Sequence, residues 1–405
     1  FGLVWEDKPE RVVLDCETGL PVLTEVEERA IAKTEDQPTN LIIEGDNYHS
    51  LSTLSYTHTG KIDIIYIDPP YNTGNKDFIY NDSYVEREDS FRHSKWLSFM
   101  DKRLQLAKGL LTDRGAIFIS IDDNEFAHLK LLCDQIFGEN NFVDCISWDK
   151  KSSAKGVPPR NMLVNVHEYI MVYQKTPAFS FLGEPRSRDG FANPDNDPRG
   201  DWRNTNIKST IKAKDKAFAI TDPDTGNVFT DTWAFSEREL QRLTDEKYLL
   251  FPKTPNGQVR RKEFYNEFKN ANTALKSSWG LYDNQKNTEM LKAMLPDVSF
   301  LNPKPLKLME YLLKVSAPSD AIILDFFAGS GTTAHAVLEL NKEDKGSRQF
   351  ILCTNNENGI AENITYQRVR KVTEGYGTTE AIPANVRYFK TDFVNKQKTD
   401  DQTRL

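Results

Sequence analysis

The sequence predicts an α/β protein built on an open, mostly parallel sheet, and three segments carry that prediction. The first is the apolar run Ile62-Asp63-Ile64-Ile65-Tyr66-Ile67, which leads directly into Asp68-Pro69-Pro70-Tyr71. The second is the apolar run Ala321-Ile322-Ile323-Leu324, followed by Asp325-Phe326-Phe327-Ala328-Gly329-Ser330-Gly331-Thr332-Thr333 and the helical pattern Ala334-His335-Ala336-Val337-Leu338. The third is the run Gln349-Phe350-Ile351-Leu352-Cys353, which ends in Thr354-Asn355-Asn356-Glu357. Short apolar runs without alternation suit strands buried on both faces, and open sheets of this kind bind ligands beyond the carboxyl ends of their strands.

Taken in order, Leu41-Ile42-Ile43 reads as a first strand, ending in Glu44-Gly45-Asp46. Ile62 to Ile67 is the second, and its loop is stiff because two prolines fix φ and hold Asp68 extended. Asp68 and the Pro69 carbonyl are then placed to accept from a planar amino group, while Tyr71 offers a face on which a base can stack. Pro-Pro after a strand is more often only a loop, but this tetrapeptide at a strand end is rare. Ala116 to Asp122 and His167 to Tyr173 read as further strands.

In the second half, Gly329 and Gly331 permit close approach of backbone to a ligand, and the Thr residues are good helix N-caps. Glu357, ending the next strand, stands where ribose hydroxyls are bound in dinucleotide folds. Glycine turn and carboxylate in one βαβ unit point to an adenosine-containing cofactor.

On these motifs the chain resembles an S-adenosylmethionine-dependent DNA amino-methyltransferase of the β class, in which the catalytic motif precedes the cofactor motif. The resemblance implies a Rossmann-like class I methyltransferase sheet, circularly permuted, with an inserted target-recognition domain. It covers residues 41 to 174 and 301 to 372. Asp46 then lies near the cofactor's adenine. Asn302-Pro303-Lys304-Pro305-Leu306 resembles a Lys-Pro-x-x-Leu element that packs on the cofactor through Lys304 and Pro305, although Pro303 stands where the family carries Thr or Ser. Asp325, Phe326, Phe327, Ala328, Gly329, Gly331, Thr332 and Glu357 complete the expected cofactor site, with S-adenosyl-L-methionine as cofactor. Asp68, Pro69, Pro70 and Tyr71 are the expected catalytic residues.

Within that family the longer strings Asp68 to Asn75, Arg92-His93-Ser94-Lys95-Trp96 and Ile119 to Glu125 are most similar to modification subunits of type III restriction systems and their solitary relatives. Asp rather than Ser at position 68 resembles the adenine-N6 enzymes. The alternatives are a cytosine-N4 or RNA enzyme, or a recognition subunit serving a nuclease. The implied partners are double-stranded DNA, a second copy of the chain, and an ATP-dependent restriction subunit, since no phosphate-gripping Gly-x-x-x-x-Gly-Lys-Ser/Thr string occurs here.

Composition narrows the class. The chain has 405 residues, long enough for more than one domain, and 38% hydrophobic content, enough for ordinary cores. With no 18-residue apolar stretch and no signal-like start, a cytoplasmic, DNA-associated bacterial protein is expected. Cys16, Cys133, Cys145 and Cys353 are far apart and the six histidines show no ligand spacing, so no metal is expected.

The net charge of −8 is concentrated at the start, where residues 1–46 hold 12 Asp and Glu against 4 Lys and Arg. From Lys150 to Lys216 the balance reverses, with 13 basic against 7 acidic residues. A local basic face can meet DNA phosphates even on an acidic protein. The candidate contacts are Lys150, Lys151, Arg160, Arg199, Arg203, Arg260 and Arg261. The expected organisation is an acidic N-terminal extension (1–40), a catalytic half (41–174), a target-recognition region (175–300) rich in turns and interleaved aromatics, a cofactor half (301–375), and a C-terminal extension (376–405) that continues in a longer protein.

Overall fold

The computed structural model describes residues 3–32, 37–75, 77–153, 161–211, 216–254, 256–298, 300 and 302–396. These fall into two compact units, one made of residues 1–182 and 275–405, the other of Gly183–Ala274.

The described part of the larger unit forms a ten-stranded sheet from β1 (Gly19–Glu25), β2 (Thr39–Glu44), β3 (Ile62–Ile67), β4 (Leu111–Ile121), β5 (Phe142–Asp149), β6 (His167–Gln174), β7 (Ser278–Leu281), β8 (Ile322–Asp325), β9 (Gln349–Thr354) and β10 (Asn385–Asn395). In space the order is β1-β10-β2-β9-β8-β3-β4-β6-β5-β7. The run from β10 to β4 is parallel, while β6 is antiparallel to both β4 and β5. β8 and β9, from the second half of the chain, thus lie between β2 and β3 of the first half. That placement is the structural form of the permuted order.

The central strands are covered on both sides, which is why they read as unbroken apolar runs. In β3, Ile64 and Tyr66 enter one core, while Ile65 and Ile67 enter the other. Successive side chains of a strand point to opposite faces, and β9 divides the same way, with Phe350 and Leu352 on one side and Ile351 and Cys353 on the other. On the first face pack α6 (Asn284–Met294), α7 (Leu306–Ser316), α8 (Thr332–Asp344) and α9 (Tyr366–Glu374). On the second pack α2 (Asn47–Thr57), α3 (Arg92–Leu110) and α4 (Phe126–Phe137). The short α1 (Arg11–Thr18) precedes β1, and α5 (Glu237–Asp245) belongs to the smaller unit.

Three boundaries differ from the sequence expectation. The expected N-terminal extension contributes β1, and the expected C-terminal extension contributes β10, which pairs in parallel with β2 and antiparallel with β1. In β10 the buried Val386 and Tyr388 alternate with Arg387, so one face carries charge. The expected recognition region is shorter than 175–300, because Ser278–Leu281 joins the sheet beside β5, with Trp279 buried. The smaller unit holds a separate core around Ile207, Trp233, Leu240, Leu243 and Val259.

Candidate active site

The Asp68–Tyr71 loop leaves the carboxyl end of β3, next to the glycine turn that leaves β8, as the pairing of β3 with β8 requires. The Pro70 carbonyl accepts from Trp96 Nε1 at 2.7 Å, which fixes the loop against the fully buried Trp96 of α3. Asn72, next in the chain, is buried with φ of 57°, and its Nδ2 donates to Glu125 Oε1 at 2.5 Å and to the Arg92 carbonyl at 3.2 Å. Burial pushes the Glu125 carboxyl up to about 7, against the opposing pull of Asn72 and His128.

At the loop's mouth one ammonium group sits among three oxygen-bearing side chains. Lys304 Nζ lies 3.2 Å from Asp68 Oδ1, 2.7 Å from Glu168 Oε2 and 2.5 Å from the Tyr71 hydroxyl. It also stands 5.0 Å from the centre of the Tyr71 ring. The Tyr71 hydroxyl in turn donates to Glu168 Oε2 at 3.2 Å, and Lys150 Nζ meets the other Glu168 oxygen at 3.2 Å. Burial raises the Asp68 carboxyl above its ordinary value and Lys304 only partly offsets it. For Glu168 burial acts in the same direction, but Lys304 and Lys150 together outweigh it and hold the carboxyl below the ordinary range. The Lys304 ammonium, which burial alone would destabilise, is kept charged by Asp68 and Glu168.

Lys304, expected to pack on the cofactor, has its ammonium in this structure between two carboxylates, the buried Glu168 and the half-buried Asp68. Glu168 was not singled out from the sequence. Its signal was available, since a carboxylate in an otherwise apolar strand, His167 to Tyr173, has to be paired when buried.

On the neighbouring strand end, Gly329 and Gly331 adopt φ of 49° and 73°, the left-handed region that favours glycine. Gly331, not a threonine, is the N-terminal cap of α8. Thr332 Oγ1 instead accepts from Arg368 Nη1 at 2.8 Å, and Thr333 donates to Asp325 Oδ2 at 2.5 Å. Asp325 also accepts from the Phe327 amide at 3.0 Å. The Phe326 carbonyl accepts from Asn47 Nδ2 at 3.1 Å, Phe327 packs against Phe99, and Ala328 is buried. Pro305 caps α7 through its carbonyl, which accepts from Leu308 and Met309.

Asp46 caps α2 by accepting from the Tyr48 amide at 2.7 Å, and it pairs with the buried Arg103 at 3.2 Å. Glu357 is exposed on the turn after β9, and its carboxyl is raised, first by loss of water around it and then by the charge of Asp46. The two carboxylates and the two left-handed glycines thus share the strand ends beside the Asp68 loop. A group with a sugar diol and a flat base fits this set, because carboxylates accept from hydroxyls and the glycine turn adds no side chain in the way.

Burial pushes the Asp325 carboxyl up to about 7 despite the hydrogen bonds from Thr333 and Phe327. A folded-state value above the unfolded one means its contribution to stability is present at low pH and is lost as pH rises toward the folded value. Asp325→Asn should therefore remove a loss on the order of 3–4 kcal/mol between about pH 4 and pH 7. Urea unfolding of both proteins across that range checks it, and identical pH profiles would refute it.

The basic candidates separate by what holds them. Lys150 belongs to the Glu168 cluster. Lys151 lies in a cleft of about 360 Å³ with Ser152, Ser153 and Asp283. Arg160 lies outside the described residues. Within the smaller unit, Arg199 is bound by Asp197 at 2.7 Å and stacks over Tyr248 and Phe264, while Arg203 pairs with Glu263 at 2.7 Å and stacks over Phe191. Arg261 lies over Phe235, and Arg260 is half-buried in the strand Arg260–Phe264. The interleaving of arginine with aromatics is thus used for that unit's own packing. The six histidines show no ligand spacing in the sequence, yet folding brings His93 and His128 together on Glu125.

Among the described residues, no helix is long and apolar enough to cross a membrane. A family model described as DNA methylase matches residues 62–365. The chain is 35% identical over 386 residues to the StyLTI Mod subunit, a type III restriction-modification enzyme of Salmonella typhimurium, covering 87% of this chain and 58% of that protein. It is 33% identical to the type II methyltransferase M.KpnI of Klebsiella pneumoniae, covering 84% of this chain and 86% of that protein. Among solved structures, TTHA0409 of Thermus thermophilus in complex with S-adenosyl-L-methionine matches remotely, with 12% identity, a TM-score of 0.44, and 86% and 98% of the two chains covered. The chain spans little more than half the length of the Salmonella subunit. By the extent of the family match and its likeness to a full-length methyltransferase, the chain belongs to the DNA methylase family.

Proposed function

We propose that this chain transfers a methyl group from S-adenosylmethionine to the N6 amino group of an adenine flipped out of duplex DNA, as the modification unit of a type III restriction system. The observation that carries the reading is the cage around Lys304 Nζ. Asp68, Tyr71 and Glu168 already hold a nitrogen donor there, against the face on which a base would stack.

A base inside a duplex cannot reach this cage, so it must leave the stack at a cost of a few kcal/mol. Its amino group then takes the place of the Lys304 ammonium. Asp68 and the Pro69 carbonyl accept from N6 and pull its lone pair out of conjugation, toward the incoming carbon. Tyr71 holds the ring plane. Asp68 is the nearest carboxylate to take the proton released. When bound, the cofactor supplies an electrophilic methyl group. The chain's own contribution is positioning and electrostatics. Asp46, Asp325, Glu357 and the turn from Phe326 to Thr332 would hold the cofactor, and Lys151, Arg260 and Arg261 remain the candidates for phosphate contact. A homodimer and a restriction partner are part of the same proposal.

Duplex DNA incubated with the protein and labelled S-adenosylmethionine, then digested to nucleosides and analysed by mass, should yield N6-methyldeoxyadenosine. N4-methyldeoxycytidine, or no labelled nucleoside, would overturn the assignment.

A further inference from the structure

Joined to the Asp68 loop through Asn72 lies a second cluster that methyl transfer does not use. His93 stands in the first turn of α3, and Glu125 and His128 stand three residues apart at the start of α4, a spacing that puts both on one face of the helix. The two imidazoles are stacked, with ring centres 4.4 Å apart and planes at 28°. Each aims Nδ1 at a different oxygen of one carboxylate: His93 at Glu125 Oε1 at 2.7 Å, His128 at Glu125 Oε2 at 2.9 Å.

The second contact is not a formed hydrogen bond. Glu125 Oε2 and His128 Nδ1 are both buried and both lack a hydrogen-bond partner, although they lie side by side. Glu125 is fully buried, and its ion-pair partners among the described residues are the two imidazoles. A buried carboxylate oxygen and a ring nitrogen that face each other without a hydrogen bond are two unsatisfied polar atoms, which one cation between them would satisfy.

We propose that His93, Glu125 and His128 bind one borderline divalent cation of the zinc or cobalt type. Two imidazole nitrogens and one carboxylate oxygen form a three-ligand set that suits such an ion and not magnesium or calcium, which take oxygen. Ligand atoms about 2.0 Å from a tetrahedral ion are about 3.3 Å apart, and one ligand atom from each of His93, Glu125 and His128 already lies within 4.8 Å of the others, so a modest side-chain adjustment admits it. The His93 and His128 side chains are 37% and 34% exposed, which leaves a path for the ion and a water as fourth ligand.

One contact must give way. Arg92 Nε donates to His93 Nε2 at 3.1 Å, which places the ring proton on Nδ1. Loading releases that proton from Nδ1, moves the ring to its Nε2–H form, and turns the half-exposed Arg92 away. The ion's consequence would be felt at the loop, since Glu125 Oε1 keeps its hydrogen bond from Asn72, the residue after Tyr71.

The test is titration of the chelator-treated protein with Zn²⁺ by calorimetry and with Co²⁺ by visible absorption. One equivalent per chain is expected, with ligand-field bands for a nitrogen- and oxygen-bound ion. Affinity should fall at least tenfold in His128→Ala and in His93→Ala, and Glu125→Gln should lose the bands while keeping the fold, as checked by circular dichroism. Absence of saturable binding to the unmodified chain, or equal binding to the histidine variants, would overturn the site. Neither readout depends on whether DNA is methylated.

Discussion

Asp68→Ala is expected to lower methyl transfer on the order of 10³-fold, the loss typical of removing one preorganised group that stabilises developing charge. Cofactor affinity should stay within a few-fold of wild type, because Asp68 serves the amino group and the glycine turn serves the cofactor. Single-turnover transfer of labelled methyl groups, with calorimetry for cofactor binding, separates the two. Full activity in the variant would remove the acceptor cage from the mechanism. A cofactor that no longer binds would mean that the loop's role is architectural.

Lys304→Met should have the largest effect on stability. The side chain is nearly buried, and its removal leaves Asp68 and Glu168 without their shared cation. Breaking one partner out of a buried ionic cluster costs about 3–5 kcal/mol, measurable as a lower urea midpoint at unchanged slope. The same change should move the acid limb of the pH–rate profile upward. Burial already raises the Asp68 carboxyl and Lys304 opposes that rise, so its loss raises the value further. An acceptor that must be ionised then fails at a higher pH. A profile that does not move would show that Asp68 is not the titrating acceptor.

The parts of this site written locally were legible and the parts assembled over distance were not. The strands β3, β8 and β9 could be read because burial on both faces leaves an uninterrupted apolar run. The glycines at 329 and 331 could be read because a left-handed turn needs them. β10 was missed because its buried Val386 and Tyr388 are separated by arginine and followed by charged residues, which makes an edge-proximal strand resemble a polar tail. The contacts of Lys304 were not legible for a different reason. Its partners at positions 68, 71 and 168 come from other strands, and no local pattern reports which of two nearby sites a long side chain will enter. Likewise no local pattern reports that Asp197 and Glu263 face Arg199 and Arg203.

The interleaved strand order also has a consequence for how the protein is made. β2 and β3 leave the ribosome well before β8 and β9, but neither pairs with the other, because β8 and β9 lie between them. At usual rates of synthesis the stretch between Ile67 and Ile322 takes about 10–50 s to appear. Throughout that interval the first half of the chain exposes two apolar sheet edges with no partner, a state prone to aggregation. The nascent chain thus presents the kind of surface that a holding chaperone covers, and the amino-acceptor loop cannot acquire its ammonium or its glycine-turn neighbour until residues 304 to 331 have been made.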